Sequence, residues 1–275
     1  MPELPEVETV RRTLEPILKG KIIDTVDVFH PKMIKTHDAE TFQKHLKDQT
    51  IIGVDRLGKY LIFKLTDFAL ISHLRMEGKY NIKPSFDEKT KHEHIMFHFK
   101  DGLSLRYDDV RKFGTFDLKA YHELYQTPPL SLLGYEPFHP SFTATYLKHK
   151  LKHKTQAIKP TLLDQTIILG LGNIYVDEVL YCAGIHPEKQ SGKVGLKRLE
   201  NIVQCSKAVL EKAITLGGSS IRSYTSSLGV TGRFQNELNV HTKAGEPCPK
   251  CQTTIIKTKV GGRGTYFCPK CQTKR

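Results

Sequence analysis

The sequence predicts an α+β protein of two domains: an N-terminal β-sandwich flanked by helices, then a helical domain that ends in a four-cysteine zinc-finger β-hairpin. Three observations carry this reading. Seven short apolar runs crowd between residues 22 and 118. The periodicity then turns helical beyond a proline-rich stretch at 127–140, and two Cys-Pro-Lys-Cys motifs stand near the C-terminus. The expected boundaries are 1–130 for the sandwich, 131–240 for linker and helices, and 241–275 for the finger.

In chain order, Val7, Val10, Leu14 and Ile17 recur at helical spacing, and Gly20 follows as a stop. The apolar runs expected to be strands are 22–29, 51–56, 60–65, 69–74, 95–99, 103–107 and 113–118, with one helix among them at 38–46. Pro128, Pro129, Pro137 and Pro140 mark the linker, after which Ser141 is expected to cap a helix through Leu151. Gly170 and Gly172 permit a tight turn before a helix opening at Asn173 and closing at Gly184. Leu199, Ile202, Val203, Val209, Leu210, Ala213 and Ile214 form a further helical stripe that stops at Gly217 and Gly218. Residues 217–236 are rich in Gly, Ser and Thr, and a connection of that length is either functional or disordered.

Composition narrows the function. The formal charge is +13, with 39% hydrophobic and 26% charged residues, which suits a soluble protein whose partner is an anionic polymer. The charge is clustered. Residues 243–275 hold eight Lys or Arg against Glu246 alone, and the run from Lys148 to Lys154 has no acid. No apolar run reaches spanning length and no leader is evident, so no membrane association, a cytoplasmic location and a monomer are expected. In that compartment metal ligation is favoured over disulfides, and Cys182 and Cys205 read as separate, small buried apolar residues.

The first residues, MPELPEVETV, carry the chemistry. Removal of Met1 would leave Pro2 with a free secondary amine, a better nucleophile at neutral pH than an ordinary lysine and suited to forming an iminium. Glu3 and Glu6 are positioned to act as acid and base. The plainer reading is a frayed, acidic helix start, with Glu6 and Glu8 complementing the helix dipole.

Cys248, Cys251, Cys268 and Cys271 have the spacing of a closed tetrahedral zinc site, which is structural because all four positions are protein thiolates. Between the pairs, Arg263 is expected at the tip of a glycine-rich hairpin, either gripping a phosphate or standing on a solvated turn. The glycine-entered helix at Asn173 is either a phosphate site or a tight helical corner. Near two further turns stand His73 and Met76, then Arg111 and Phe113, in positions from which apolar side chains enter a base stack and an arginine fills the space left.

These motifs together resemble the bacterial formamidopyrimidine-DNA glycosylases, also called 8-oxoguanine DNA glycosylase/AP lyases. MPELPEVET, GKYLIF, HLRMEGKY, VRKFG, QTIILGLGNIYVDEVL, GIHPEK, FQNELNVH and the four-cysteine finger occur in the family's order over essentially the whole chain. The resemblance implies Pro2 as Schiff-base nucleophile, Glu3 as the acid assisting sugar-ring opening, Glu6 as a supporting carboxylate and Lys59 as the lysine assisting elimination. It implies Arg263 at the second elimination and on phosphate. Met76, Arg111 and Phe113 match the void-filling triad, Asn173 the phosphate contact of a helix-two-turn-helix motif, and His92 a further DNA contact. His73 and Lys154 complete the expected DNA contacts, although the segment near Lys154 departs from the family's basic run. Val110 stands where many members carry proline. The loop at 217–236 takes the place of the family's damaged-base capping loop.

The implied activity is excision of oxidised purines from double-stranded DNA with β,δ-elimination, one structural zinc ion, and a bacterial, nucleoid-associated location. Two rivals remain. An endonuclease VIII-like enzyme would use the same proline on oxidised pyrimidines, but that group carries glycine where Leu4 stands. A non-enzymatic zinc-finger regulator would leave Pro2 and Lys59 without a role.

Overall fold

Two four-stranded antiparallel sheets dominate the first half of the chain, in a computed structural model that describes residues 1–219 and 232–274. The chain forms two units, Met1–Ser131 with Gly217–Gly232, and Leu132–Leu216 with Arg233–Arg275.

In the first unit, β1 (Ile23–Val28), β6 (Glu93–Phe99), β7 (Leu103–Asp108) and β5 (Lys79–Pro84) form one sheet in that order. The other runs β2 (Ile51–Leu57), β3 (Tyr60–Leu65), β4 (Phe68–His73), β8 (Thr115–Ala120). Their inner faces share one core, in which Phe63 meets Tyr80 at 5.4 Å and Tyr107 meets Phe116 at 4.9 Å between ring centroids across the sheets. Helix α1 (Leu4–Leu18) buries Leu4, Val7, Val10, Leu14 and Leu18, and lies against β2 and β3. Helix α2 (Ala39–Leu46) is capped by the Asp38 carboxylate on Thr41 N–H at 2.8 Å.

Strand β5 is an addition to the sequence reading. It is a sheet edge paired only with β7, and its sequence KYNIKP has the polar character that edges carry, so no apolar run announces it.

The second unit holds α3 (Ala144–Leu151), α4 (Ile158–Leu162), α5 (Asn173–Cys182), α6 (Leu196–Thr215) and the hairpin β9 (Ile256–Val260), β10 (Arg263–Phe267). The cap of α3 is Thr143 and not Ser141, its hydroxyl accepting from Tyr146 N–H at 3.1 Å. The five-residue α4 contains Pro160 and is too short to show a periodicity. The hairpin turns on Gly261 and Gly262, both at positive φ, so Arg263 is the first residue of β10, opposite Val260, and not the turn residue itself.

The reading of Cys182 and Cys205 is corrected. Cys182 is exposed, and the two sulfurs form a disulfide between α5 and α6, with Cα atoms 5.8 Å apart. Two helices packed side by side bring them together from 23 residues apart, a separation that no local motif encodes.

Candidate active site and nucleic-acid interface

The N-terminus is held in place. Glu3 caps α1, and its own N–H donates to Glu6 Oε2 at 2.8 Å, closing the helix start on itself. Pro2, Glu3 and Glu6 are buried beneath an exposed Met1. The second oxygen of Glu6 accepts from Ser219, from N–H at 2.7 Å and from the hydroxyl at 3.2 Å. One carboxylate therefore fixes both the helix start and the root of the segment at 217–236. Residues 220–231, on which the lesion-loop expectation mainly falls, lie outside the described residues.

Lys59 sits in the tight connection between β2 and β3 and is buried. Its turn is braced from α1. Glu8 accepts from Arg11 Nη2 at 2.9 Å, Arg12 Nε at 2.7 Å and Arg56 Nε at 3.0 Å, while Arg56 Nη1 donates to Gly58 O at 3.0 Å. Burial opposes ionisation of Glu8, yet the hydrogen bonds from the three arginines outweigh it and hold the carboxyl down at about 2. Sequence reasoning saw Glu8 only as a dipole-complementing acid. The brace joins residues 48 apart, which no local pattern shows.

The two expected DNA-entering turns share one support. Between β4 and β5, Gly78 N–H closes a turn on Leu74 O at 3.0 Å and places Met76 half-buried. Between β7 and β8, the fully buried Asp109 carboxylate accepts backbone N–H groups from Arg111 at 3.0 Å, Phe113 at 2.9 Å and Gly114 at 2.8 Å. Arg111 and Phe113 are thereby exposed together, the guanidinium carbon 4.6 Å from the ring centre. A side chain at Gly78 or Gly114 would place its Cβ 2.1 or 1.7 Å from the Tyr107 hydroxyl, so both turns depend on glycine to rest on that ring. His92, half-buried, supports the same turn through its carbonyl, which accepts from Asp109 N–H at 3.0 Å.

Neither Asp109 nor Tyr107 was anticipated from the sequence; the acidic pair before VRKFG was the available signal. In Asp109→Asn the amide NH2 would face at least one of these N–H donors, Arg111 on one side or Phe113 and Gly114 on the other. The substitution is expected to destabilise the protein by about 2 kcal/mol or more, measured by urea unfolding.

His73, expected to touch DNA, is buried at 7% exposure, and its Nδ1 accepts from Arg75 N–H at 2.9 Å. Burial, then the charges of Arg75 and Lys59, push the ring down to about 3, so it is neutral with its proton on Nε2. A neutral His in the folded state adds no pH dependence above its ordinary value near 6.5. Below that the unfolded chain binds the extra proton, and stability falls with pH until about 3. His73→Gln is expected to remove up to about 1.4 kcal/mol per pH unit of this slope between pH 4 and 6, measured by unfolding at a series of pH values.

In the second unit, Asn173 opens α5 and its side-chain N–H donates to Gly264 O at 3.0 Å. The same carbonyl accepts from Lys159 Nζ at 2.8 Å. Lys159, fully buried, also meets Thr265 Oγ1 at 2.9 Å and Asp177 at 2.8 Å, and Asp177 holds His241 Nδ1 at 2.8 Å. These bonds seat β10 on the start of α5 and leave the neighbouring Arg263 exposed, with no ion pair among the described residues. Lys154 is half-buried, its carbonyl accepting from Gly192 N–H at 2.9 Å. Lys159, which the sequence did not single out, is the lysine that reaches the hairpin.

The four finger cysteines bring their sulfurs within 4.8 Å of one another, at 3.8 Å for Cys248 and Cys271 and 3.5 Å for Cys251 and Cys268. Tetrahedral zinc with Zn–S bonds of about 2.3 Å needs sulfurs about 3.8 Å apart, so the set fits one structural zinc ion. Tyr181 of α5 supports it, its hydroxyl 3.3 Å from Cys248 Sγ.

Three family models cover most of the chain: the formamidopyrimidine-DNA glycosylase N-terminal domain at residues 1–116, its H2TH domain at 133–225, and a zinc finger found in FPG and IleRS at 245–274. The formamidopyrimidine-DNA glycosylases of Shouchella clausii and Bacillus licheniformis are 51% and 50% identical over 275 residues, covering 100% of both chains in each case. Among solved structures, a Lactococcus lactis FPG mutant with Fapy-dG-containing DNA superposes at TM-score 0.93 with 46% identity, covering 99% of this chain and 100% of that one. The Lactococcus lactis protein with abasic-site DNA gives 0.92 and 47%, covering 98% and 99%.

Proposed function

The chain belongs to the formamidopyrimidine-DNA glycosylase family, and from that premise we propose that it removes oxidised purines, 8-oxoguanine and formamidopyrimidines, from duplex DNA and cleaves the resulting abasic strand. The observation that carries the reading is the buried Pro2, held with Glu3 and Glu6 by a closed helix start and not left to fray.

Once Met1 is removed, the Pro2 amine attacks C1′ of the damaged nucleotide and the bond to the base breaks, the base leaving with a proton. Glu3 gives a proton to the ring oxygen as the sugar opens, and the nitrogen and C1′ become an iminium. That cation acidifies C2′. Loss of the C2′ proton expels the 3′ phosphate, and a second elimination expels the 5′ phosphate. Lys59 assists elimination, and Arg263 the second elimination, where it also binds phosphate. Met76, Arg111 and Phe113 fill the gap left by the extruded nucleotide, and Asn173 contacts the backbone. Zinc keeps the hairpin folded.

Borohydride reduction on an abasic-site duplex is expected to give one covalent adduct that maps to Pro2. A lysine adduct would overturn the assignment, and no adduct would favour a DNA-binding regulator. Excision from 8-oxoguanine duplexes is expected to exceed that from thymine glycol duplexes. The opposite order would place the chain with the oxidised-pyrimidine enzymes.

A further inference from the structure

The helical unit carries a further basic surface to which the steps above assign no residue. Lys189, Lys193, Lys197 and Arg198, with Asn201 and the exposed Leu196, line a shallow depression of about 530 Å³. Lys148 of α3 reaches its rim, its Nζ 3.3 Å from Val194 O. None of these five cations makes an ion pair among the described residues. Of the acids nearby in sequence, Glu188 is occupied by Lys274 at 2.6 Å, and Glu200 stands exposed on α6.

The charges are gathered by the fold. Lys189 Nζ donates to Lys274 O at 2.8 Å, and the Arg198 guanidinium to Thr273 O at 3.4 Å and Oγ1 at 3.3 Å, which ties both to the end of the finger. Lys193 and Lys197 are exposed. Burial, then the charges of Arg198 and Lys193, lower the Lys189 ammonium from its ordinary value, as expected where like charges meet without a counter-ion.

The depression lies beyond the C-terminal end of α5, whereas Asn173 opens that helix, and its nearest link to an expected DNA contact is the Gly192 N–H bond to Lys154 O. Helix α5 opens at Asn173 and runs ten residues, about 15 Å, to Cys182. The chain reaches the depression from that far end, through Ile185, which pairs with Thr273. Leu196 is the one large apolar side chain lining it, and no aromatic anchor of the kind a protein partner needs is present. A duplex, with one phosphate charge per about 1.7 Å of axis, presents the dense negative charge that such a cluster of cations attracts.

We propose that this depression binds the phosphate backbone of a second DNA duplex, separate from the one carrying the lesion, and so lets the protein pass directly between DNA segments. This rests on the DNA-binding reading above. The test uses the full-length, zinc-loaded protein and the exposed-surface variant K193Q/K197Q. For the unaltered protein, release from a short lesion duplex is expected to speed up as undamaged competitor duplex is added, and the variant is expected to lose at least about fivefold of that acceleration. Its excision rate and affinity on the short lesion duplex stay unchanged. Release independent of competitor in the unaltered protein, or acceleration retained in the variant, would overturn the proposal. So would a parallel loss of short-duplex affinity, which would place these lysines in the primary interface. A protein that transfers between duplexes but excises nothing would instead count against the glycosylase reading alone.

Discussion

Protein that keeps Met1 is expected to excise base from an 8-oxoguanine duplex more than about 10³-fold more slowly than protein from which it has been removed. With Met1 attached, the Pro2 nitrogen is a tertiary amide: its lone pair is delocalised into the carbonyl and it has no proton to lose, so it cannot form an iminium. The Met1 amine that becomes the terminus belongs to an exposed residue one position ahead of the buried Pro2 and is displaced from that nitrogen's place. The Glu3 N–H is committed to Glu6, and Glu6 also holds Ser219. Pro2→Gly keeps an amine, now primary and without the ring that holds the nitrogen in place, and is expected to fall between the two. Mass spectrometry to score Met1, paired with single-turnover excision, checks this. Full activity from protein shown to retain Met1 would remove Pro2 from the chemistry. DNA affinity should change little, because the expected phosphate contacts, Asn173 and Arg263, lie elsewhere in the chain.

The fold was legible where burial is two-sided. The inner strands of a sandwich read as apolar runs because both faces or most of one are covered, and α1, α2 and α6 showed their stripes. Strand β5 did not, because an edge carrying two half-buried lysines and an asparagine has the composition of a loop. The site divides the same way. Proline at position 2, two early glutamates and four cysteines are visible because the proposed chemistry and the zinc site need those residue types at short, fixed spacing. What supports them is not. Glu8 with Arg56, Asp109 with the Arg111 turn, and Lys159 with Asp177 are charges whose function depends on being buried against a partner that the fold supplies. A linear sequence shows a charge but not its desolvation, and the default for a charged residue is a solvated surface. Cys182 and Cys205 misled for the same reason, since pairing across two helices leaves no spacing signal.

Removing the zinc, by Cys268→Ala or by a strong chelator, is expected to lower affinity for a lesion duplex by about 10²-fold or more. The finger's apolar cluster is small: Tyr181, Val240, Cys248, Ile255 and Cys268 are its buried members, and two of the five are themselves ligands. Below such a size, metal binding supplies most of the folding free energy of the segment. The loss should spread along β10 to Gly264, whose carbonyl is the common acceptor for Asn173 and Lys159. Arg263 then loses its fixed position, and Lys159 and Asp177 lose two of their partners in the hairpin, Thr265 and Tyr266. One charge-assisted hydrogen bond to phosphate is worth about 1.5–3 kcal/mol, and with Asn173 misplaced as well the combined loss reaches two decades in affinity. The first unit should be spared, because its core draws on α1, α2 and the two sheets alone. Hydrogen exchange should accordingly show β9 and β10 unprotected while β3, β4 and β7 remain slow, with one equivalent of zinc released on chelation. Undiminished affinity from metal-free protein, or protection lost equally in both units, would show that the ion does not act through the hairpin.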